Sequence, residues 1–306
     1  MILSSKRLMI AAAVAALALP FGCSSSSSSD SNLDGGGGQG DAGTLGDASP
    51  RNDAGSPRDG GSIGNPSDGG SSTGGNGSSK PSCKYTAHKT GLNAFQQAGG
   101  LAFHVYAPAS YDPNVGHRVV VIMHGQDSDG TPELTSLWQP IADDQQLVLV
   151  APKGSSPATD PATYPNGANW AVSDLNHVQD LVSEIDDCYD VDVKRHILWG
   201  FSEGTFYGYL LGIGAATQFS GLAMGGANTS FARENGYPPS AETWKIPVSH
   251  VQGTTDPNGS AQTLQDQTDF RAAGSIFTLY QPNQGHTITQ AQVLAQYNDL
   301  KSSASP

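Results

Sequence analysis

Residues 196–206, HILWGFSEGTF, place Ser202 inside Gly200-Phe201-Ser202-Glu203-Gly204. A serine in a G-x-S-x-G pattern does chemistry when it sits on a sharp turn between a strand and a helix. Its hydroxyl then stands above the sheet, open to a carbonyl carbon. The same pattern recurs around Ser62 and Ser72, so the pattern alone does not select a residue. Context does. Ser202 follows the apolar run HILW and leads into TFYGYLLG, a helix-like segment, and its flanking glycines permit the close chain packing of such a turn. Ser62 and Ser72 lie among glycines and serines with no strand before them or helix after them.

A serine hydroxyl is a weak nucleophile near neutral pH, so it needs a base, and the base needs an orienting acid. In a sheet of parallel strands these groups gather at the carboxyl ends of the strands. His286, in YQPNQGHTI, follows the last apolar run by a short loop and precedes the last helix-like segment. The other histidines are placed worse. His104, His196 and His250 lie in or beside strands, His177 lies on a helix, and His88 and His117 lie in loops with no strand end beside them. Asp256, in VQGTTDPNG, follows the strand between Ser202 and His286. Taken alone it reads as a turn-shaping Asp. The chain order Ser, Asp, His makes it the expected acid.

Attack on a carbonyl also needs donors for the oxyanion that forms. The run VVVIMHGQ ends a strand at His124-Gly125-Gln126, so the expected donors are the backbone N–H groups of Gln126 and Glu203, with His124 shaping the turn. This chemistry calls for no metal and no cofactor.

The elements that must hold these residues are legible as short runs rich in Val, Ile and Leu separated by helical or turn-rich stretches. Strands are expected at 101–106, 118–123, 147–151, 197–199, 221–224, 247–252 and 276–280. The continuous runs VVVIM and LVLV read as strands covered on both faces. A helix is expected after Trp170, with Asp174 as its N-cap and Val178, Leu181, Val182 and Ile185 on one face. A last helix over 289–300 carries Val293, Leu294 and Tyr297 at similar spacing. The pattern is that of one α/β domain over 81–306.

The first 80 of the 306 residues differ in kind. Residues 1–22 read as an export signal, with Lys6 and Arg7 ahead of an apolar run. The segment LALPFGC resembles a bacterial lipobox, in which Cys23 is lipidated, although Pro20 and Phe21 depart from the usual residues; the alternative is an ordinary secretory signal. Residues 23–80 are Ser, Gly, Asp, Asn and Pro with no apolar periodicity, the composition of a disordered tether spanning roughly 40 Å. The expected location is therefore outside the cytoplasm, membrane-anchored at the cell surface or in the periplasm, or released. In that oxidising setting Cys83 and Cys188 are expected to pair, the alternative being two separate buried thiols. A net charge of −13 with no Lys/Arg cluster argues against a nucleic-acid partner.

Beyond these readings, the residues resemble the α/β-hydrolase superfamily. More narrowly they resemble its secreted poly(3-hydroxybutyrate) depolymerases, feruloyl esterases and acetylxylan esterases. VVVIMHGQ is similar to that family's oxyanion strand, YDVDVKRHILWGFSEG to its approach to the serine, VQGTTD to its acid loop and NQGH to its histidine loop. The resemblance implies an α/β-hydrolase fold, a mostly parallel central sheet flanked by helices, with no large lid domain. It implies Ser202 as nucleophile, Asp256 as acid, His286 as base, and Gln126 and Glu203 as oxyanion donors. Trp170, in GANWA, sits where the family often has a Trp beside the substrate cleft, and reads equally as a core aromatic. One departure is Glu203, where a small or amide residue is usual; its charge at the cleft mouth is expected to repel anionic substrates. Another is the acidic, polar loop after His124-Gly125. The expected activity is a serine carboxylic ester hydrolase acting on short-acyl, aromatic or polymeric esters. The alternatives are a serine peptidase of the same fold and a non-catalytic surface binding module on a hydrolase scaffold.

Overall fold

Residues 83–85 and 89–306 are described in a computed structural model. The expected signal, Cys23, the tether and the serines at 62 and 72 fall outside these residues. In chain order the elements are β1 (Gly91–Gln96), β2 (Ala102–Ala107), β3 (His117–Met123), a wide helical turn (Glu133–Trp138), α1 (Gln139–Gln145), β4 (Val148–Pro152), β5 (Ser156–Pro157), β6 (Ala168–Asn169) and α2 (Asp174–Asp186). Then follow β7 (Val191–Phe201), α3 (Glu203–Gly214), β8 (Gly221–Gly225), α4 (Ser230–Glu234), β9 (Val248–Val251), α5 (Ser260–Ala272), β10 (Phe277–Tyr280) and α6 (Gln290–Leu300). Eight strands form one sheet in the order β1-β2-β4-β3-β7-β8-β9-β10. From β4 to β10 every neighbouring pair is parallel, and β2 joins that block antiparallel through β4.

The apolar runs are continuous because both faces of the sheet are covered, so alternate residues of one strand enter different layers. Val120 and Ile122 of β3, Ile197 and Trp199 of β7 and Ala223 of β8 share a core with Leu134, Trp138 and Ile141 and with Val293, Tyr297 and Leu300 of α6. Leu222 and Met224 of β8 lie instead against Gly212 and Gly208 of α3. One polar side chain ties the first layer together. Gln296 of α6 is fully buried, accepts from Trp199 Nε1 (3.2 Å) and donates to the carbonyls of Met224 (2.7 Å) and Ser249 (3.0 Å).

The expected strands lie within one or two residues of the observed ones, except that β7 begins six residues before 197. β1 was not foreseen: GLNAFQ is an edge strand with three of its six residues exposed and only Asn93 buried, so it carries no apolar run. His117 opens β3 and is buried rather than lying in a loop, its ring nitrogens meeting the carbonyls of Gln146 (2.8 Å) and Asp112 (2.9 Å). Asp174 is the first residue of α2 and not its N-cap; its buried carboxylate accepts from the N–H groups of Ala171 and Ser155 (both 2.9 Å) and from Ser155 Oγ (2.6 Å). Thr289 does cap α6, in a reciprocal pairing with Gln292, while Leu294 is exposed and only Val293 and Tyr297 of the expected face are buried.

Cys83 and Cys188 form a disulfide, 105 residues apart in sequence. It pins the start of the domain beside the end of α2, where Tyr85 donates to Glu184 (2.7 Å) and packs edge-on against Phe103 of β2 (5.0 Å between ring centres). Closing a loop of that length removes freedom from the unfolded chain worth about 4 to 5 kcal/mol in the chain-entropy account. Reduction, or a Cys83→Ala/Cys188→Ala pair, is expected to lower the urea midpoint of the domain, with the unfolding free energy extrapolated to water falling by an amount of that order. An unchanged midpoint would show that the crosslink does not restrain the unfolded chain.

Candidate active site

β7 ends at Phe201 and α3 begins at Glu203, so Ser202 is the single residue between them. Its backbone has φ 56° and ψ −122°, a region that residues with a Cβ rarely occupy. Two contacts hold it there. Ser202 N–H donates to the Gly225 carbonyl of β8 (2.9 Å), and Gly204 lies so close to β3 that a Cβ on it would come within 2.1 Å of the Met123 carbonyl oxygen.

Ser202 Oγ donates to His286 Nε2 (2.8 Å), and His286 Nδ1–H donates to Asp256 Oδ2 (2.9 Å). The Asp256 side chain is 1% exposed and that of His286 31%, so the carboxylate is shielded while the imidazole is reachable by solvent. Asp256 Oδ1 accepts the Asn258 N–H (2.9 Å), and the Asn258 side-chain amide lies 3.2 Å from Nδ1. The Phe201 ring stacks on the imidazole at 4.9 Å. The acid and histidine loops are joined by backbone bonds, Thr254 N–H to Pro282 (3.0 Å) and Thr255 N–H to Gln284 (3.2 Å). They approach so closely that a Cβ on Gly253 would lie 2.3 Å from the Gln284 carbonyl oxygen. With Asp256 orienting Nδ1–H, Nε2 is free to take the Ser202 proton.

On the other side of Ser202 lies the turn after β3. The N–H groups of Gln126 and Glu203 donate to no other described residue, whereas Gly125 N–H is taken by Glu133 Oε1 (3.2 Å). The second oxygen of Glu133 accepts from Ser128 Oγ (2.7 Å), so one carboxylate clamps both ends of the turn. His124 is fully buried. Its Nδ1 meets the Gly125 carbonyl (2.7 Å), its Nε2 accepts from Gly154 N–H (3.0 Å), and burial holds its pKa below the usual histidine range. Trp170 is 3% exposed, stacks on His124 at 4.6 Å and donates from Nε1 to the His124 carbonyl (2.9 Å). It is thus a buried support of the turn after β3, packed as a core aromatic. Asn169 Oδ1 accepts from Asp127 N–H (2.9 Å), and Gln126 Nε2 donates to Thr159 Oγ1 (2.8 Å), so residues 154–170 act as a strap behind the turn.

Glu203 differs most from expectation. Its carboxyl is not a free charge at the cleft mouth: Oε2 is buried with no hydrogen-bond partner. Burial pushes its pKa up to about 7; a hydrogen bond from the Trp170 backbone opposes this, and nearby Asp127 and Asp174 add to it. Sequence reasoning missed Glu133 and Asn169 as well, since single polar residues in TPELTSLW and GANWA carry no motif.

No family model matches the chain. It is 27% identical over 165 residues to a bifunctional acetylxylan esterase/xylanase of Neocallimastix patriciarum, a match covering 53% of this chain and 22% of that protein. The chain therefore spans less than a quarter of the length of this curated relative. Among solved structures it is similar to a ferulic acid esterase from Anaeromyces mucronatus, with a TM-score of 0.51, 15% identity, and coverage of 72% of this chain and 92% of that one. The fold is that of the α/β-hydrolases. Peptidases share it: the dipeptidyl peptidase 4 of Porphyromonas gingivalis aligns with a TM-score of 0.53 and 16% identity over 71% of this chain and 36% of that one.

The Glu133 clamp holds Gly125, the residue before Gln126, so losing it loosens the turn without removing a donor. Glu133→Ala is expected to slow labelling of the site by a fluorophosphonate about tenfold, less than the hundredfold or more that follows loss of an oxyanion donor. Labelling at the wild-type rate would show that the turn holds itself.

Proposed function

We propose that the chain is a serine carboxylic ester hydrolase that works through an acyl-enzyme at Ser202. The observation that carries this reading is the Ser202–His286–Asp256 relay, with contacts of 2.8 and 2.9 Å, on a strained turn beside two unoccupied backbone donors. Ser202 Oγ attacks the ester carbonyl as His286 Nε2 takes its proton, and Asp256 steadies the imidazolium. The N–H groups of Gln126 and Glu203 receive the oxyanion. Collapse returns the proton from His286 to the departing alkoxide, leaving Ser202 acylated. Water, deprotonated by His286, then attacks the acyl carbonyl and releases the acid.

The substrates are short-acyl or aromatic esters, including those borne on polymers. Similarity to an acetylxylan esterase and to a ferulic acid esterase supports this, as does the make-up of the loops around the site. Residues 152–170 carry only the short β5–β6 pair, and residues 226–247 carry the five-residue α4 and a single tight turn at Pro239–Ala241. Neither supplies the apolar helical stripe that would shelter a long acyl chain. Each further methylene therefore has little apolar wall against which to gain its ~0.8 kcal/mol. Wild type is expected to hydrolyse p-nitrophenyl esters with kcat/KM greatest between acetate and butyrate, and Ser202→Ala to lose at least about a thousandfold. A maximum at laurate or beyond would overturn the substrate class, and retained activity in Ser202→Ala would overturn the nucleophile.

The peptidase reading is favoured by one observation, the fold shared with dipeptidyl peptidase 4. Cleavage of amide substrates in preference to the matching esters would establish it.

The enzyme acts outside the cytoplasm, held to a membrane by lipid on Cys23 and carried on a polar tether. The support is the Lys6-Arg7 apolar leader, the Gly22-Cys23 junction and a disulfide in the domain. Metabolic labelling with a fatty-acid analogue is expected to tag the full-length chain, and Cys23→Ala to abolish the tag and release the protein from membranes. A tag that survives Cys23→Ala would reject the anchor.

A further inference from the structure

Glu203 contributes to the proposed oxyanion hole only through its backbone, yet its side chain is built into the same corner. One carboxyl oxygen, Oε2, is buried and unpartnered, and the Trp170 backbone beside the carboxyl only partly offsets the cost of burying a charge there. The groups facing it come from three elements. Asp127 stands on the oxyanion turn, Asp174 at the start of α2, and Tyr207 one turn further along α3. None of these is a cation. Asp174 already accepts from Ser155 and Ala171, and Asp127 accepts from the Thr159 N–H.

A carboxylate in this position is penalised twice, by loss of water around Oε2 and by two neighbouring carboxylates. The start of α3 favours a negative charge, but that effect is small beside the desolvation of a buried oxygen. Uptake of a proton removes both penalties, in keeping with a pKa pushed up to about 7 by burial. Ionisation has a cost for the reaction as well. It puts a full negative charge on the residue whose own N–H must receive the developing oxyanion, in surroundings where water screens little.

We propose that Glu203 is a positioning residue that serves the oxyanion hole in its neutral form, and that ionisation of this side chain turns the site down on the alkaline side of neutrality. The sign is opposite to that of the base. A base that accepts the Ser202 proton does so in its neutral form, so a base limb loses activity as pH falls. Glu203 must be protonated, so its ionisation removes activity as pH rises. The proposal rests on the hydrolase reading, and its test is read at Ser202 independently of any ester.

The second-order rate of fluorophosphonate labelling would be followed from about pH 6 to about pH 9 in wild type and Glu203→Gln, alongside kcat/KM for an acetate ester. On the alkaline side of its maximum wild type is expected to fall about tenfold or more by both measures, while Glu203→Gln, which cannot ionise, shows no such fall. The variant is also expected to gain thermal stability relative to wild type at the alkaline end, because it never holds a buried charge. A wild-type profile that stays level overturns the proposal even if the variant does not fold. An identical alkaline fall in wild type and variant overturns it too. Labelling and hydrolysis absent at every pH would instead sink the hydrolase reading, and this proposal with it.

Discussion

The site depends on the backbone of Ser202. A residue with a Cβ at φ 56° and ψ −122° costs on the order of 1 to 3 kcal/mol, and it persists only where the surroundings allow no alternative. Here β7 and α3 meet with no residue to spare, Ser202 N–H is committed to Gly225 of β8, and Gly204 lies against the Met123 carbonyl of β3. Relaxing the turn would separate α3 from the two strands it packs on. The parallel sheet therefore bears the strain, and the return is a hydroxyl already aimed at His286.

The loops carrying Asp256 and His286 are held differently from the turn after β3. Asp256 and His286 stand on loops after adjacent parallel strands, β9 and β10, whose register continues into backbone bonds between the loops. The turn after β3 has no such neighbour. It is braced by side chains instead: Glu133 on Gly125 and Ser128, Trp170 and Gly154 on His124, and Asn169 on Asp127. Most of those groups belong to the strap at 154–170. The loops around Ser202 thus brace the site, and the carboxylates after His124-Gly125 are held in hydrogen bonds, Asp127 accepting from Thr159 and Asp129 from Thr131.

What could be read from the residues follows the same physics. Buried parallel strands announce themselves as Val-rich runs, and a hydrogen-bonded Ser, Asp, His set at strand ends is marked by the strands before each member. Hence seven strands and the relay were foreseeable. β1 was not, because an exposed edge strand such as GLNAFQ needs no apolar run. Nor was the role of Glu133 or Asn169, since a polar residue that braces a distant turn has no local signature. Glu203 and Trp170 show the limit most clearly. Glu203 was expected to offer a charge at the cleft mouth and Trp170 either to line the cleft or to pack in the core, but whether such a side chain faces water or the interior is decided by the strap folding over it. His117 was misjudged for a related reason, as its strand pairing depends on residues far along the chain.

The claim on which all else rests is a covalent intermediate on Ser202. Its most direct test is rapid acid quench of the domain during turnover of p-nitrophenyl acetate, with peptide mapping by mass spectrometry at successive times. A burst of p-nitrophenol matched by an acetyl group on the peptide carrying Ser202, and on that residue within it, is the expected result. An acetyl group on another residue, or steady turnover with no adduct at any quench time, would contradict the account.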